Sequence, residues 1–356
     1  MCTRSDTATP AITDAPTTYR PMAGGGGSRM GVHYLSEFVQ CPMRWFLRYA
    51  YPAGPNSELT GLTTHHTSPP LLTGTAYHAG VEELYRSGWR DGADTGEWDL
   101  ERAVAKVEAE FTARESEWAD TDKMVAERQD TIAMIHRYRN HFGKGGKAPE
   151  QGHLELLATP DGEPALEVEY EIPVGNRIMT ARIDALVRYH GIMMVCERKT
   201  SSRVSSTLQT YSLKAQPLAL LLLVNHHHPE PVTAILLDIA HKKHTSGSRQ
   251  PEFLRSPISH APDLLQQFVG VAERTLDAID NHMGVWNIRV KGGMDPMDAA
   301  FATFPLRGLF NDKCFSFQRE CAFARVCRNP STASNQLPTY RPRIFTPVEV
   351  PDEDGE

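Results

Sequence analysis

Two groups of residues in this 356-residue chain have the types and spacing for chemistry. The first is Asp184, followed after twelve intervening residues by Glu197-Arg198-Lys199. Two carboxylates are hard oxygen donors that suit Mg²⁺ or Mn²⁺, ions that clamp a phosphate and lower the pKa of an attacking water. A lysine beside them can orient or deprotonate that water and offset charge on a pentavalent transition state. The pattern points to metal-dependent phosphodiester cleavage. Taken alone it equally suits a surface hairpin with a Glu–Lys ion pair, because charged residues at alternate strand positions are common.

The second group is cysteine. Cys41 lies in Gln40-Cys41-Pro42, and Cys314-x6-Cys321-x5-Cys327 follows nearly three hundred residues later. Thiolates drawn from both ends of a folded body suit a metal centre that closes the domain as a clasp. The plainer reading is four buried thiols behaving as small hydrophobes, which the charged and polar neighbours of residues 314–327 disfavour. Cys2 and Cys196 are not expected ligands. His65-His66 and His226-His227-His228 stand near prolines in expected loops and read as structural.

These side chains need elements to position them. Alternation along a strand puts Met179, Ala181, Ile183, Ala185 and Val187 on one apolar face, with Thr180, Arg182 and Asp184 on the other. In the next strand Glu197 and Lys199 share a side, opposite Cys196 and Arg198. A turn near Tyr189-His190-Gly191 folds the two strands together, so that Asp184 meets Glu197 and Lys199. Strands are expected at Leu166–Val174, Ile178–Tyr189, Ile192–Lys199 and Val232–Ala240, with a helix over about 213–225 before the last. Helices are expected over Tyr34–Tyr51, with Ser36 as N-cap, over Gly74–Arg86, in two pieces over about 99–142, and over about 263–283. Helices followed by a largely antiparallel sheet with an intervening helix make a mixed α/β domain.

Composition bounds the rest. Apolar content of 40% is enough for a sizeable core, and no run of eighteen apolar residues is present. With no secretory signal, the thiols read as reduced in a cytoplasmic protein. Net charge is −7, and five acids in the last twelve residues leave −2 for the remainder, which argues against a generally basic coat for nucleic acid. Locally the balance reverses: Arg44 and Arg48 follow Cys41, and Arg319 and Arg325 flank the later cysteines, a patch able to track DNA phosphates. Residues 1–30 read as a disordered leader, 331–356 as a flexible acidic tail, and 31–330 as the folded body, with a helical insertion over about 87–150.

In these motifs the chain resembles the PD-(D/E)XK nuclease superfamily, and within it the RecB-type iron–sulfur branch that includes phage-type exonucleases and CRISPR-adaptation nucleases. The resemblance covers about residues 33–328: Tyr34-Leu35-Ser36 through Cys41-Pro42, Gly74-x3-His78, Ile183-Asp184, Glu197-Arg198-Lys199, Gln216, and Phe253-Leu254-Arg255-Ser256-Pro257-Ile258, in that order. Ile183 stands where the family name has proline, and the x6 spacing is wider than in many RecB-type enzymes.

The resemblance implies a mixed sheet flanked by helices, with His78, Asp184, Glu197 and the Arg198 carbonyl on Mg²⁺ or Mn²⁺. It implies Lys199 serving the water and Gln216 holding Lys199 or the scissile phosphate. It also implies a [4Fe–4S] cluster on Cys41, Cys314, Cys321 and Cys327; Zn²⁺ accepts the same thiolates. The expected activity is an exonuclease on single-stranded DNA or duplex ends, serving recombination, repair or processing. The alternatives are a non-cleaving DNA-binding scaffold and a site-specific endonuclease. No Walker A motif is present, so any helicase or recombination partner is a separate protein.

Overall fold

The computed structural model describes residues 20–21, 31–53, 61–64, 69–118, 120–147, 154–175, 177–242, 248–249, 251–309, 311, 313–316 and 319–343. In chain order, β1 (Arg20–Pro21) precedes α1 (Val32–Gln40), α2 (Pro42–Trp45), a π turn (Phe46–Ala50) and β2 (Leu62–Thr64). Next come α3 (Pro69–Gly88), the small hairpin β3 (Trp89–Arg90) and β4 (Ala93–Asp94), α4 (Leu100–Thr112) and α5 (Thr121–Phe142). The sheet strands β5 (Glu155–Leu156), β6 (Leu166–Val174), β7 (Arg177–Tyr189) and β8 (Ile192–Ser201) lead into α6 (Val204–Tyr211) and α7 (Ala215–His227). After β9 (Ala234–His241) and β10 (Phe253–Ser259) come α8 (Pro262–Lys291), α9 (Pro296–Thr303), β11 (Phe315–Ser316), β12 (Arg319–Glu320) and α10 (Ala324–Arg328).

The main sheet runs β1-β6-β7-β8-β9-β10, with β5 added to the far end of β7. Only β8–β9 is parallel, which requires the crossover through α6 and α7. Two cores form on the two faces. Val195, Leu237 and Ile239 pack with α1, α7, α8 and α9, while Cys196, Leu236 and Ala240 pack under α3, α4 and α5. The expected mixed α/β architecture is thus a sheet between two helical layers. Among the described residues no helix is long and apolar enough to cross a membrane.

Several local expectations are corrected. The single helix over Tyr34–Tyr51 breaks at Cys41, which is extended at φ −159° and ψ 100°, because the residue before a proline is driven out of the helical region. That helix begins at Val32 with Gly31, not Ser36, at the cap position. The face on β7 also divides. Met179 and Ile183 join the core beneath α7 and α8, but Ala185 and Val187 join the core beneath α3 to α5. The switch falls at Asp184, opposite Glu167, whose φ of +52° interrupts the pleat of β6. Residues 331–342, expected in a flexible tail, instead form short helical turns and a strand, Tyr340–Pro342, paired with β2. Tyr340 is buried and its hydroxyl donates to the Ala322 carbonyl at 2.7 Å. At the other end, Arg20–Pro21 pairs with Val168 and Glu169 of β6 as an edge strand, so part of the expected leader joins the sheet.

Candidate active site

The β7–β8 hairpin turns at His190 and Gly191, both with positive φ (50° and 78°), the conformation of a tight two-residue connection. From there the ladder runs back to Ala185↔Cys196 and stops. One step further would set Asp184 opposite Glu197. There Asp184 Oδ2 accepts the Arg198 main-chain N–H at 2.6 Å, in place of a carbonyl. Both carboxylates are nearly buried, at 8% and 2% exposure.

Each has its own partners. His78 on α3 places Nδ1 3.3 Å from Asp184 Oδ1. Glu197 Oε1 accepts from Gln216 Nε2 at 2.8 Å and pairs with the Lys199 ammonium. Gln216 reaches it from the first turn of α7, where Pro217 has no N–H to lose. The hairpin, His78 and Gln216 are therefore brought together, although Gln216 bonds Glu197 and not Lys199, the partner expected for it.

Glu167 was not foreseen. It lies across from Asp184 on β6, and ligand atoms of His78, Glu167 and Asp184 lie within 4.8 Å of one another, the only such set among the described residues. Glu167 also pairs with Arg182 Nε at 2.9 Å. Glu167, Glu169 and Glu171 are chemically alike in sequence, and only strand register singles out the first. Tyr211 was missed as well. It is fully buried, with its hydroxyl beside the Glu197 carboxylate but outside hydrogen-bonding geometry, and its ring lies 5.8 Å from Lys199 Nζ.

Burial and charge set the protonation states. Burial alone would raise the Asp184 carboxyl, but the charge and hydrogen bond of His78, then Lys199 and Arg198, hold it well below the usual carboxylate range. Glu167 goes the other way: burial, then Asp184, push it up to about 7 against the pull of Arg182 and His78. Glu197 is raised by burial, with Lys199 opposing and Asp184 reinforcing the rise. Burial would lower Lys199, yet Glu197 and Asp184 outweigh it and keep the ammonium charged. In this arrangement Lys199 is a cationic donor rather than a base.

The profile of the PD-(D/E)XK nuclease superfamily matches residues 29–328. The chain belongs to the PD-(D/E)XK nuclease superfamily. No curated protein matches this nuclease in sequence. Among solved structures it is similar to a candidate exonuclease from Eubacterium rectale, at 13% identity and a TM-score of 0.39, over 74% of this chain and 81% of that one.

Nucleases of this superfamily are generally DNA-cleaving hydrolases that use divalent metals, and the donor set fits such an ion: buried carboxylates with one imidazole, within a ligand's span. When bound, the ion supplies charge stabilisation to the phosphate and a more acidic water.

Of the cysteines expected to form the clasp, Cys41 and Cys314 both approach Gly308. A side chain at Gly308 would lie 3.0 Å from Cys314 Sγ and 3.5 Å from Cys41 Sγ, so glycine is what lets the backbone pass these sulfurs. The Cys321 N–H donates to the Cys314 carbonyl at 2.7 Å. Burial, followed by Cys321, Cys41 and Cys314, pushes the Cys327 thiol up to about 12.

Other expectations resolve individually. Cys196 is buried under α3 to α5, away from Glu197, and burial pushes its thiol up to about 12. His227 Nε2 bonds the Glu171 carbonyl at 2.7 Å and His228 Nε2 the Tyr170 hydroxyl at 2.8 Å, which are structural contacts. Cys2, His65 and His66 lie outside the described residues, as does the Arg319 side chain. Arg44 and Arg48 both pair with Glu37, which offsets part of their charge, while Arg325 is exposed.

Proposed function

We propose that the chain is a metal-dependent deoxyribonuclease of the RecB-type branch, acting as an exonuclease on single strands or duplex ends. The observation that carries the reading is the meeting of His78, Asp184, Glu197, Lys199 and Gln216 at the open end of the β7–β8 ladder. His78, Asp184 and Glu197, with the Arg198 carbonyl, would hold the metal, and Glu167 is positioned to join them. Lys199 would orient the attacking water and balance charge on the phosphate. Gln216 would keep the Glu197 carboxylate aimed. Cys41, Cys314, Cys321 and Cys327 would carry a [4Fe–4S] cluster that ties α1 to the C-terminal segment. Support comes from the approach of the Cys41 and Cys314 sulfurs to Gly308.

The deciding experiment incubates end-labelled linear DNA and closed circular DNA with the protein and Mn²⁺ or Mg²⁺. Metal-dependent release of nucleotides from linear DNA, with circles left intact, is expected. Cutting of circles would make the enzyme an endonuclease, and no cleavage of either would leave a DNA-binding scaffold.

A further inference from the structure

The connector between α6 and α7 is only Ser212-Leu213-Lys214, and Tyr211 before it and Gln216 in the first turn after it both reach the Glu197–Lys199 cluster. Tyr211 on one side lies beside Glu197 and under Lys199, and Gln216 on the other donates to Glu197 at 2.8 Å. The tip is held in a turn, with Leu213 N–H donating to the Thr210 carbonyl at 3.3 Å and Lys214 N–H to the Tyr211 carbonyl at 3.0 Å. It is therefore a short, fixed projection at the mouth of the site.

What it projects is unusual. Leu213 is 87% exposed, the most exposed large hydrophobic side chain among the described residues. An isolated surface leucine needs no explanation, but one fixed two residues from a catalytic-site contact does. Lys214 places its ammonium 5.6 Å from the Tyr211 ring, the ring that Lys199 also approaches, and no carboxylate pairs with it among the described residues. Burial and then Lys199 lower the Lys214 ammonium, with Glu197 opposing. His33, at the start of α1, is likewise lowered by burial and then by Lys199, with Arg48 and Lys214 adding and Glu37 opposing.

We infer that the 212–214 connector grips the DNA strand next to the reacting phosphate, with Lys214 on a backbone phosphate and Leu213 packed against the face of an unstacked base. Apolar side chains inserted at base steps unstack them, and a lysine–phosphate contact fixes the strand without reading sequence. The inference rests on the nuclease reading of the Glu197–Lys199 cluster. It adds the element that presents the substrate to that cluster.

The test compares wild type with Leu213→Ala and Lys214→Met, both exposed positions whose replacement leaves the core intact. DNA binding is measured without divalent metal across a salt series, unstacking by 2-aminopurine fluorescence near the DNA end, and cleavage with Mn²⁺. Lys214→Met is expected to weaken binding about tenfold and to reduce the salt slope by about one, with the loss falling on KM rather than kcat. Leu213→Ala is expected to abolish the fluorescence rise and to slow cleavage of blunt duplex ends more than of single strands. A wild type that cleaves DNA, alongside variants with unchanged binding, salt slope and fluorescence, overturns this inference alone. A wild type that neither binds nor cleaves DNA overturns the nuclease reading and this inference with it.

Discussion

Arg198 holds Asp184 from two directions: its main-chain N–H donates to the carboxylate at 2.6 Å and its guanidinium Nη1 to the Asp184 carbonyl at 3.2 Å. The strands have just parted at this point, so these two bonds replace the missing rung. The guanidinium lies on the face away from Glu197 and Lys199, over the Tyr85 ring at 5.1 Å. It stands in register with Asp238 on β9, which is in register with Arg255 on β10. Arg255 Nε donates to Asp238 Oδ2 at 3.2 Å, and the Tyr138 hydroxyl donates to the same oxygen at 2.9 Å. A buried row of alternating charge thus ties β8 to α3 and α5.

Removing the centre of that row should be costly. Asp238→Ala would leave the buried Arg255 guanidinium without its carboxylate, and is expected to lower the unfolding free energy by about 3–5 kcal/mol. Chemical denaturation measures it, and a loss under about 1 kcal/mol would show that the row carries no net charge coupling.

Asp184→Ala and Lys199→Ala are expected to reduce kcat by at least about 10²–10³-fold, because these groups act on charge at the reacting phosphate. Circular dichroism should remain native in outline. Cleavage by both variants at the wild-type rate would remove the hairpin from the active site.

Glu167 predicts a pH dependence with a definite sign. Its carboxyl is raised to about 7, so the metal-free folded state keeps a proton that the unfolded chain sheds above about 4.5. Stability contributed by this group is therefore full at low pH and is lost as pH rises toward about 7. A metal must displace that proton, so Mn²⁺ affinity should climb through the same window and flatten above it. Glu167→Gln should weaken Mn²⁺ binding and make it less sensitive to pH. Calorimetric titrations at pH 6 and pH 8 that look alike for wild type would contradict this.

An imidazole in the shell favours Mn²⁺ over Mg²⁺ more than oxygen donors alone do. His78→Ala is expected to weaken metal binding and to narrow the preference for Mn²⁺. Metal titrations that superimpose for variant and wild type would show that His78 is only an ion-pair partner of Asp184.

Protein purified without oxygen is expected to be brown and to hold about four irons per chain, as thiolate-held iron–sulfur clusters do. Cys41→Ala and Cys321→Ala should lose the iron and melt at lower temperature, because a cluster there would join distant parts of the chain. Cys196→Ala should retain the iron. Stoichiometric zinc in place of iron would keep the clasp and reject the cluster, and neither metal would reject both.

Much of the site was legible because it depends on short periods. The two-residue alternation that puts Glu197 and Lys199 on one side, and Cys196 and Arg198 on the other, survives intact in β8, and the Tyr189-His190-Gly191 turn folds where its residues allow positive φ. Helix positions for His78 and Gln216 followed from the same kind of local pattern. What remained hidden depends on which distant segments meet. Nothing in Leu166–Val174 distinguishes Glu167 from Glu169 or Glu171 until β6 is set against β7, and the left-handed backbone at Glu167 that divides the face of β7 appears only in that pairing. Tyr211 reaches Glu197, and Tyr340 reaches Ala322, through contacts that no spacing encodes. Alternation and turn chemistry are decided within a few residues of chain. Strand register and helix docking are decided by the summed burial of both cores, so the metal-site partners, the charged row behind the site and the exposed tip beside it exist only in the folded molecule.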